Sequence, residues 1–397
     1  MILKMFNVGF GDCFLFLDGD NSLWVDCGSK SFNPKSKSNH ILKLLIDQTL
    51  YKYYGNKNSS ALITHFHGDH YNGFRYLAET KNEEKIFDKI YVPYLDIEDE
   101  KTGESMLLEV AICCYTFLNK FTYSHIISKN ILKHIEMVTK LANNIEYLST
   151  GKKIKFGNLE FDVIWPDKKY DFTQFKFKDF LDKIDSILIL KGGQLFNEFN
   201  ALKKKILKNM KEWYVLTEHP ESDMKNFNTI IRTQNSLIGL EDASYYSLEG
   251  FRRRNNINLS TENTIKKFIP SYTSLFSKSN NSTSIVFHDK NRKILMTGDV
   301  ERSIINKLNL QDSYQFLKVP HHGTSSHYTD SLPAALHFLI STGKGRVGKI
   351  GVQYMTHSCP LGKRYCTSGG KWCNTIDNKQ ICFNNSCLNN QEVTLPL

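Results

Sequence analysis

The segment Thr64-His65-Phe66-His67-Gly68-Asp69-His70 places three imidazoles and one carboxylate within six residues. It follows the short apolar run Ala61 to Thr64, which reads as a strand, and a loop at a strand's end can turn several side chains toward one point. Neutral imidazole with carboxylate is the ligand set of hydrolytic metal centres and suits zinc, manganese or iron. Core packing or surface solvation would account for any one of these residues, but not for all four at this density.

Two distant segments have matching chemistry. Met296-Thr297-Gly298-Asp299 follows an apolar strand, and Val319-Pro320-His321-His322-Gly323-Thr324 follows another. Taken singly, Asp299 reads equally well as a helix N-cap, and His321 or His322 as a hydrogen-bonded core histidine. Their order and spacing after strand ends favour a shared metal site. His321, directly after Pro320, is the expected ligand of the two.

Together these segments resemble the HxHxDH signature and distal ligands of the metallo-β-lactamase superfamily, an α/β fold of αββα layers with its metal centre at one edge of two sheets. Within it the chain is similar to the hydrolase domain of ComEC-type DNA-uptake proteins and to stand-alone relatives of that domain. Phe6-Asn7-Val8-Gly9-Phe10-Gly11-Asp12 resembles the opening "DVGQGD"-like element, Trp24-Val25-Asp26-Cys27-Gly28 an "LLDTG"-like strand end, and Asn281 to Val286 an "NxS" approach to a strand. The likeness covers roughly residues 1–80, 150–166 and 280–342.

The resemblance implies two divalent ions, zinc or manganese. His65 and His67 would hold one, Asp69, His70 and His321 the other, and Asp299 would bridge them. Asp12 and Asp26 would orient imidazoles from behind, with a turn-stabilising role open for Asp12. Asp69 and His322 are the expected catalytic residues, and His322 and His327 would contact a substrate oxyanion or protonate a leaving group. The superfamily's further histidine for the first metal has no counterpart near Phe161 to Pro166, where Trp165 stands. A water or substrate oxygen, His219 or His288 would complete that site, or only one ion would bind tightly.

The elements needed to position these residues are legible as alternating strands and helices. Residues 2–26 read as a strand meander. A helix is expected over 39–54, a strand at 61–64, a helix over 71–79, a strand at 90–93 and a mostly helical stretch over 106–143. Strands follow at 153–156, 159–165, 284–288, 293–297 and 316–319, with helices over 300–310 and 333–339. The resulting division is residues 1–169 and 280–345 as two halves of one domain, 170–279 as an insertion that caps the site, binds a partner or acts as a spacer, and 346–397 as a Cys-rich extension. No repeat of solenoid length is visible.

Composition bounds the function. The chain is 41% hydrophobic and 23% charged, as ordinary folded proteins are. No run of about 18 apolar residues suits a membrane span, and the N-terminus lacks the features of an export signal, so a cytoplasmic location is expected. Fifty-one Lys and Arg against 41 Asp and Glu give a formal charge of +10, which favours polyanionic partners, although runs such as 203–205 and 252–254 also read as solvated faces. Five of nine cysteines, Cys359, Cys366, Cys373, Cys382 and Cys387, fall in the last 39 residues. Without a close CxxC pair, a structural zinc site, disulfides or reactive thiols, and unligated cysteines all stay open.

The expected function is a metal-dependent phosphodiesterase or nuclease that acts on nucleic acid or a nucleotide through metal-activated hydroxide. The alternatives are an esterase or lactonase, and a subunit that recruits a partner through its insertion or tail and hydrolyses weakly.

Overall fold

The structure, a computed structural model, describes residues 1–33, 40–50, 58–80, 85–94, 137–170, 177–191, 196–197, 199–201, 203–204, 259–289, 291, 293–343, 350–358, 363–367 and 392–397. Three apolar N-terminal runs form the meander β1 (Ile2–Phe6), β2 (Cys13–Asp18) and β3 (Asn21–Cys27). Gly19, at φ 56°, makes the tight turn between β2 and β3. Then come α1 (Ile41–Leu44), β4 (Asn58–Leu62), α2 (Gly68–Thr80), β5 (Phe87–Pro93) and β6 (Ala142–Leu148). The second half adds β7 (Lys153–Phe156), β8 (Leu159–Trp165), β9 (Val286–Asp289), β10 (Ile294–Met296), β11 (Ser313–Lys318), β12 (Ala334–Ile340), β13 (Lys363–Cys366) and β14 (Glu392–Pro396).

These strands make two mixed seven-stranded sheets, ordered β14-β1-β2-β3-β4-β5-β6 and β13-β12-β11-β10-β9-β8-β7. Both follow one plan. In the first sheet β14 through β3 pair antiparallel and β3 through β6 parallel. In the second, β7 through β10 pair antiparallel and β10 through β13 parallel. Each sheet changes from antiparallel to parallel pairing at one strand, β3 or β10. The loops after these strands and their parallel neighbours, β4 and β11, begin at Gly28, Ile63, Thr297 and Val319. The sequence motifs lie at those carboxyl ends, where open α/β sheets bind ligands.

The core draws on both sheets. Leu3, Phe14, Phe16 and Leu62 from one and Phe161, Phe287, Met296 and Phe316 from the other belong to a single buried cluster. Phe16 meets Phe161 edge-on at 5.4 Å between centroids. The strands of the Cys-rich extension contribute too, with β14 bordering β1 and Leu395 reaching the same cluster.

The chain separates into two compact units. The larger comprises Met1–Tyr94, Met137–Lys168 and Asn280–Leu397, and the smaller Leu95–Glu136 and Lys169–Ser279. The smaller unit contains α3 (Phe177–Lys191), α4 (Leu259–Phe268) and most of α5 (Pro270–Ser282). Phe180 organises it, stacked on Phe268 and edge-on to Tyr272 and Phe276.

Three element expectations are corrected. Residues 333–339, expected as helix, supply most of β12, which lies between the parallel strands β11 and β13. Seven residues are too few for periodicity alone to separate a buried strand from a helix. The helix expected through residue 143 gives way at Ala142 to β6, which pairs with β5; residues 106–136 lie outside the described residues. The helix expected over 300–310 narrows to α6 (Arg302–Ile305). Among the described residues no helix is long and apolar enough to cross a membrane.

Candidate metal centre

Left-handed backbone concentrates here. Asp26 (φ 56°), His321 (φ 47°) and His322 (φ 57°) are the non-glycine residues with positive φ among those described. Such geometry costs about 1–3 kcal/mol per residue, persists only where surrounding contacts impose it, and clusters at functional sites.

The loops are laced together by backbone hydrogen bonds. The Asp12 amide donates to Asp69 carbonyl at 2.9 Å, the Ile285 amide to Thr64 carbonyl at 2.9 Å and the His321 amide to Gly298 carbonyl at 3.2 Å. Gly28 makes this lacing possible, because a Cβ there would strike the Asp69 carbonyl and the His70 amide. From α2, Asn72 accepts from the Ser29 amide at 2.9 Å and donates to the Ser29 carbonyl at 2.7 Å, fixing the loop after β3.

Four imidazoles face one oxygen. Asp299 Oδ2 lies 3.1 Å from His70 Nε2, 3.2 Å from His322 Nε2, 3.7 Å from His321 Nε2 and 3.9 Å from His65 Nε2. His65 Nε2 is also 2.9 Å from His67 Nδ1, and Asp69 Oδ2 is 3.6 Å from His322 Nε2. His65, His70, Asp299 and His322 are buried.

The opposite ring edges are held from behind. His70 Nδ1 is 2.8 Å from Asp26 Oδ2, and Asp26 is itself fixed by the Thr64 amide at 2.8 Å and the Thr64 hydroxyl at 2.7 Å. His322 Nδ1 is 3.1 Å from Asp12 Oδ1, which also accepts from the Ser341 hydroxyl. Each carboxylate takes the Nδ1–H and leaves the Nε2 lone pair pointing at the anionic Asp299. Neither His70 Nε2 nor His322 Nε2 makes a hydrogen bond. Lone pairs aimed at a carboxylate oxygen in a buried site call for a cation or a proton between them.

The donors fit a cation. Two ligand atoms 2.0–2.1 Å from a tetrahedral zinc stand about 3.3 Å apart, and the separations of 2.9 to 3.9 Å bracket that edge. Asp12, His70, Asp299 and His322 offer ligand atoms within 4.8 Å of one another. Asp12, however, meets the Nδ1 edges of both rings and is closer to a support than to a ligand.

Protonation follows the same crowding. Burial acts to lower the His70 imidazole pKa, yet Asp299, Asp26 and Asp12 outweigh it and push the value up to about 10. His322 is likewise raised, with burial opposed by Asp299 and Asp12. Burial, reinforced by His70 and His67, holds His65 well below its ordinary value, and burial lowers His321 to about 4. Against burial, His322 and His70 hold Asp299 and Asp69 below the carboxylate range.

The structure brings the expected ligands His65, His67, Asp69, His70, Asp299 and His321 to this cluster and places Asp26 behind His70. His322, expected to contact substrate, stands among the imidazoles that converge on Asp299, closer to it than His321 is. The left-handed turn at both residues aims both rings inward. His327, also expected at the substrate, is buried and contacts His321 Nδ1 at 2.7 Å while lying 3.3 Å from Glu301 Oε2. It supports His321 from behind.

The structure does not bring His288 or Trp165 into this set. His288 Nδ1 bonds the Tyr314 hydroxyl at 2.9 Å, and the Trp165 indole donates to the Ser282 carbonyl at 2.7 Å. His219, Cys359, Cys373, Cys382 and Cys387 lie outside the described residues. Cys366 is buried in β13. His357, the nearby imidazole, has both ring nitrogens engaged, by the Tyr328 hydroxyl and the Pro333 carbonyl.

Lys318 is the site residue that the sequence reading missed. Its ammonium is 1% exposed and lies 2.7 Å from Asp12 Oδ2, 3.2 Å from Asp299 Oδ1 and 2.6 Å from the Gly298 carbonyl. A lysine inside the short apolar run Phe316 to Val319, directly before the histidine motif, was its one local signal. No family model matches the chain, and no curated protein does.

Proposed function

We propose that the chain is a metal-dependent hydrolase of the metallo-β-lactamase type, acting on phosphodiesters of nucleic acid or nucleotides. The observation that carries this reading is the convergence of the His65, His70, His321 and His322 Nε2 atoms on Asp299 Oδ2, with two of them buried and unbonded. His65, His67, Asp69, His70, Asp299, His321 and His322 would hold divalent metal. When bound, such an ion acts as a Lewis acid and brings the pKa of water toward neutrality.

The chain's own groups do the remaining work. Asp26 and Asp12 hold the Nδ1 protons of His70 and His322, so that each ring keeps its Nε2 lone pair inward. His327, next to Glu301, sets the His321 ring. Phe10 covers His322, with ring centroids 4.6 Å apart, and shields that edge from water. His321, with 27% of its side chain exposed, marks the open side where a substrate would approach. The formal charge of +10 suits a polyanion, and the motif resemblance points to nucleic acid.

The test incubates metal-loaded protein with single- and double-stranded DNA, RNA, cyclic nucleotides and a generic phosphodiester, beside a carboxylic ester and a lactone. The expected result is phosphodiester cleavage that an Asp69→Ala Asp299→Ala variant lacks. Hydrolysis of only the ester or lactone would overturn the substrate assignment.

A further inference from the structure

Lys318 has no part in the metal scheme implied by the motifs, yet its side chain is buried within the site. Three oxygens surround its ammonium: it donates to Asp299 Oδ1 and the Gly298 carbonyl and pairs with Asp12 Oδ2 at 2.7 Å. The Thr297 hydroxyl donates to the Lys318 backbone carbonyl at 2.7 Å and ties the end of β11 to the loop after β10. A buried lysine with several oxygen partners stays charged.

This arrangement divides each carboxylate. On Asp299, Oδ1 faces the ammonium, leaving Oδ2 as the oxygen the imidazoles surround. On Asp12, Oδ2 faces the ammonium and Oδ1 takes His322 and Ser341, although its carboxylate lies close enough to His70, Asp299 and His322 to join a metal site. Without a positive charge at that point, the free oxygen of each anion would turn toward the nearest cation.

We infer that Lys318 is a positioning residue that selects the ligand set, keeping Asp12 out of the metal's coordination and restricting Asp299 to a single oxygen. The inference rests on the metal-centre reading above. Lys318 thereby sets how many oxygen donors a metal meets, and with them its charge and Lewis acidity.

Cobalt(II), whose visible absorption reports coordination number and donor type, tests this directly. Wild-type chain, Lys318→Met and the charge-balanced double variant Asp12→Asn Lys318→Met are stripped of metal and titrated with Co2+, and their melting temperatures are recorded. In the Lys318→Met spectrum the visible bands should weaken and shift, as they do when oxygen donors are added, and the double variant should return only part of the way to wild type, because an amide is a poor ligand at position 12 while Asp299 stays unrestricted. A purely structural lysine would lower the melting temperature and leave the bands unchanged, and that result overturns the inference. If Lys318→Met fails to fold, the double variant decides, since bands identical to wild type at every Co2+ ratio overturn the restriction of Asp299. Wild-type chain that takes up no Co2+ would overturn the metal reading itself, and this inference with it.

Discussion

The chemistry of the site turns on one oxygen. Asp299 Oδ2 is the point on which four imidazole nitrogens converge, and what occupies the space between them is decided by competition between protons and a divalent cation. In metal-free protein the protons win at His70, whose pKa stands at about 10 against an ordinary 6.5. A raised imidazole pKa gives stability that is complete below the unfolded value and lost as pH climbs through the folded one. His65 and His321, shifted downward, act on the acid side instead. Metal-free chain is therefore expected to lose thermal stability between about pH 7 and 10. Over the same rise zinc uptake, followed by competition with a chelating dye, tightens as protons leave. A metal-free melting temperature that climbs across that interval would contradict the assignment. The candidate ligands were legible because His65 to His70 are local and dense. Lys318 was not, because its partners Asp12 and Asp299 lie 306 and 19 residues away in sequence and meet it only through folding.

At the scale of elements, the site is a product of two equivalent pairs of strand ends, β3 with β4 and β10 with β11. Asp26 closes β3 and the His65 cluster follows β4; Asp299 follows β10 and the His321 pair follows β11. The loops approach so closely that side chains become a liability, and Gly28 is the clearest case. Gly28→Ala is expected to cost about 1–3 kcal/mol, as overpacking does, and to lower metal retention, because the displaced neighbours are Asp69 and His70. Urea denaturation and metal analysis together check this, and full metal retention with unchanged stability would show that the loops have room. Alternating and short apolar runs made β1, β2, β3, β7 and β8 readable. The stretch Ala334 to Ile340 misled because strand identity there comes from parallel pairing with β11 and β13, a tertiary fact that no seven-residue window carries.

Across the whole molecule, two seven-stranded sheets of one plan bury a shared core and bring residues 12, 26, 65–70, 299 and 321–322 to a single place. The α/β class and the pairing of a first and a second half could be read from the order of apolar runs. The strands contributed by the Cys-rich extension could not, because β13 and β14 are edge strands defined by their neighbours and their own short sequences carry little period. A ligand that binds only the folded chain stabilises it by about 2.7 kcal/mol at a hundredfold excess over its dissociation constant, so a real metal centre must register in both composition and stability. The most direct measurement is the metal content of zinc-loaded, exhaustively dialysed protein, set beside the Asp69→Ala Asp299→Ala variant, with melting temperatures recorded for both. Stoichiometric zinc in the wild type, lost in the variant and accompanied by a higher wild-type melting temperature than after chelation, is the predicted result. Wild-type protein that keeps no more zinc than the variant, and melts no higher with zinc than without, would contradict it.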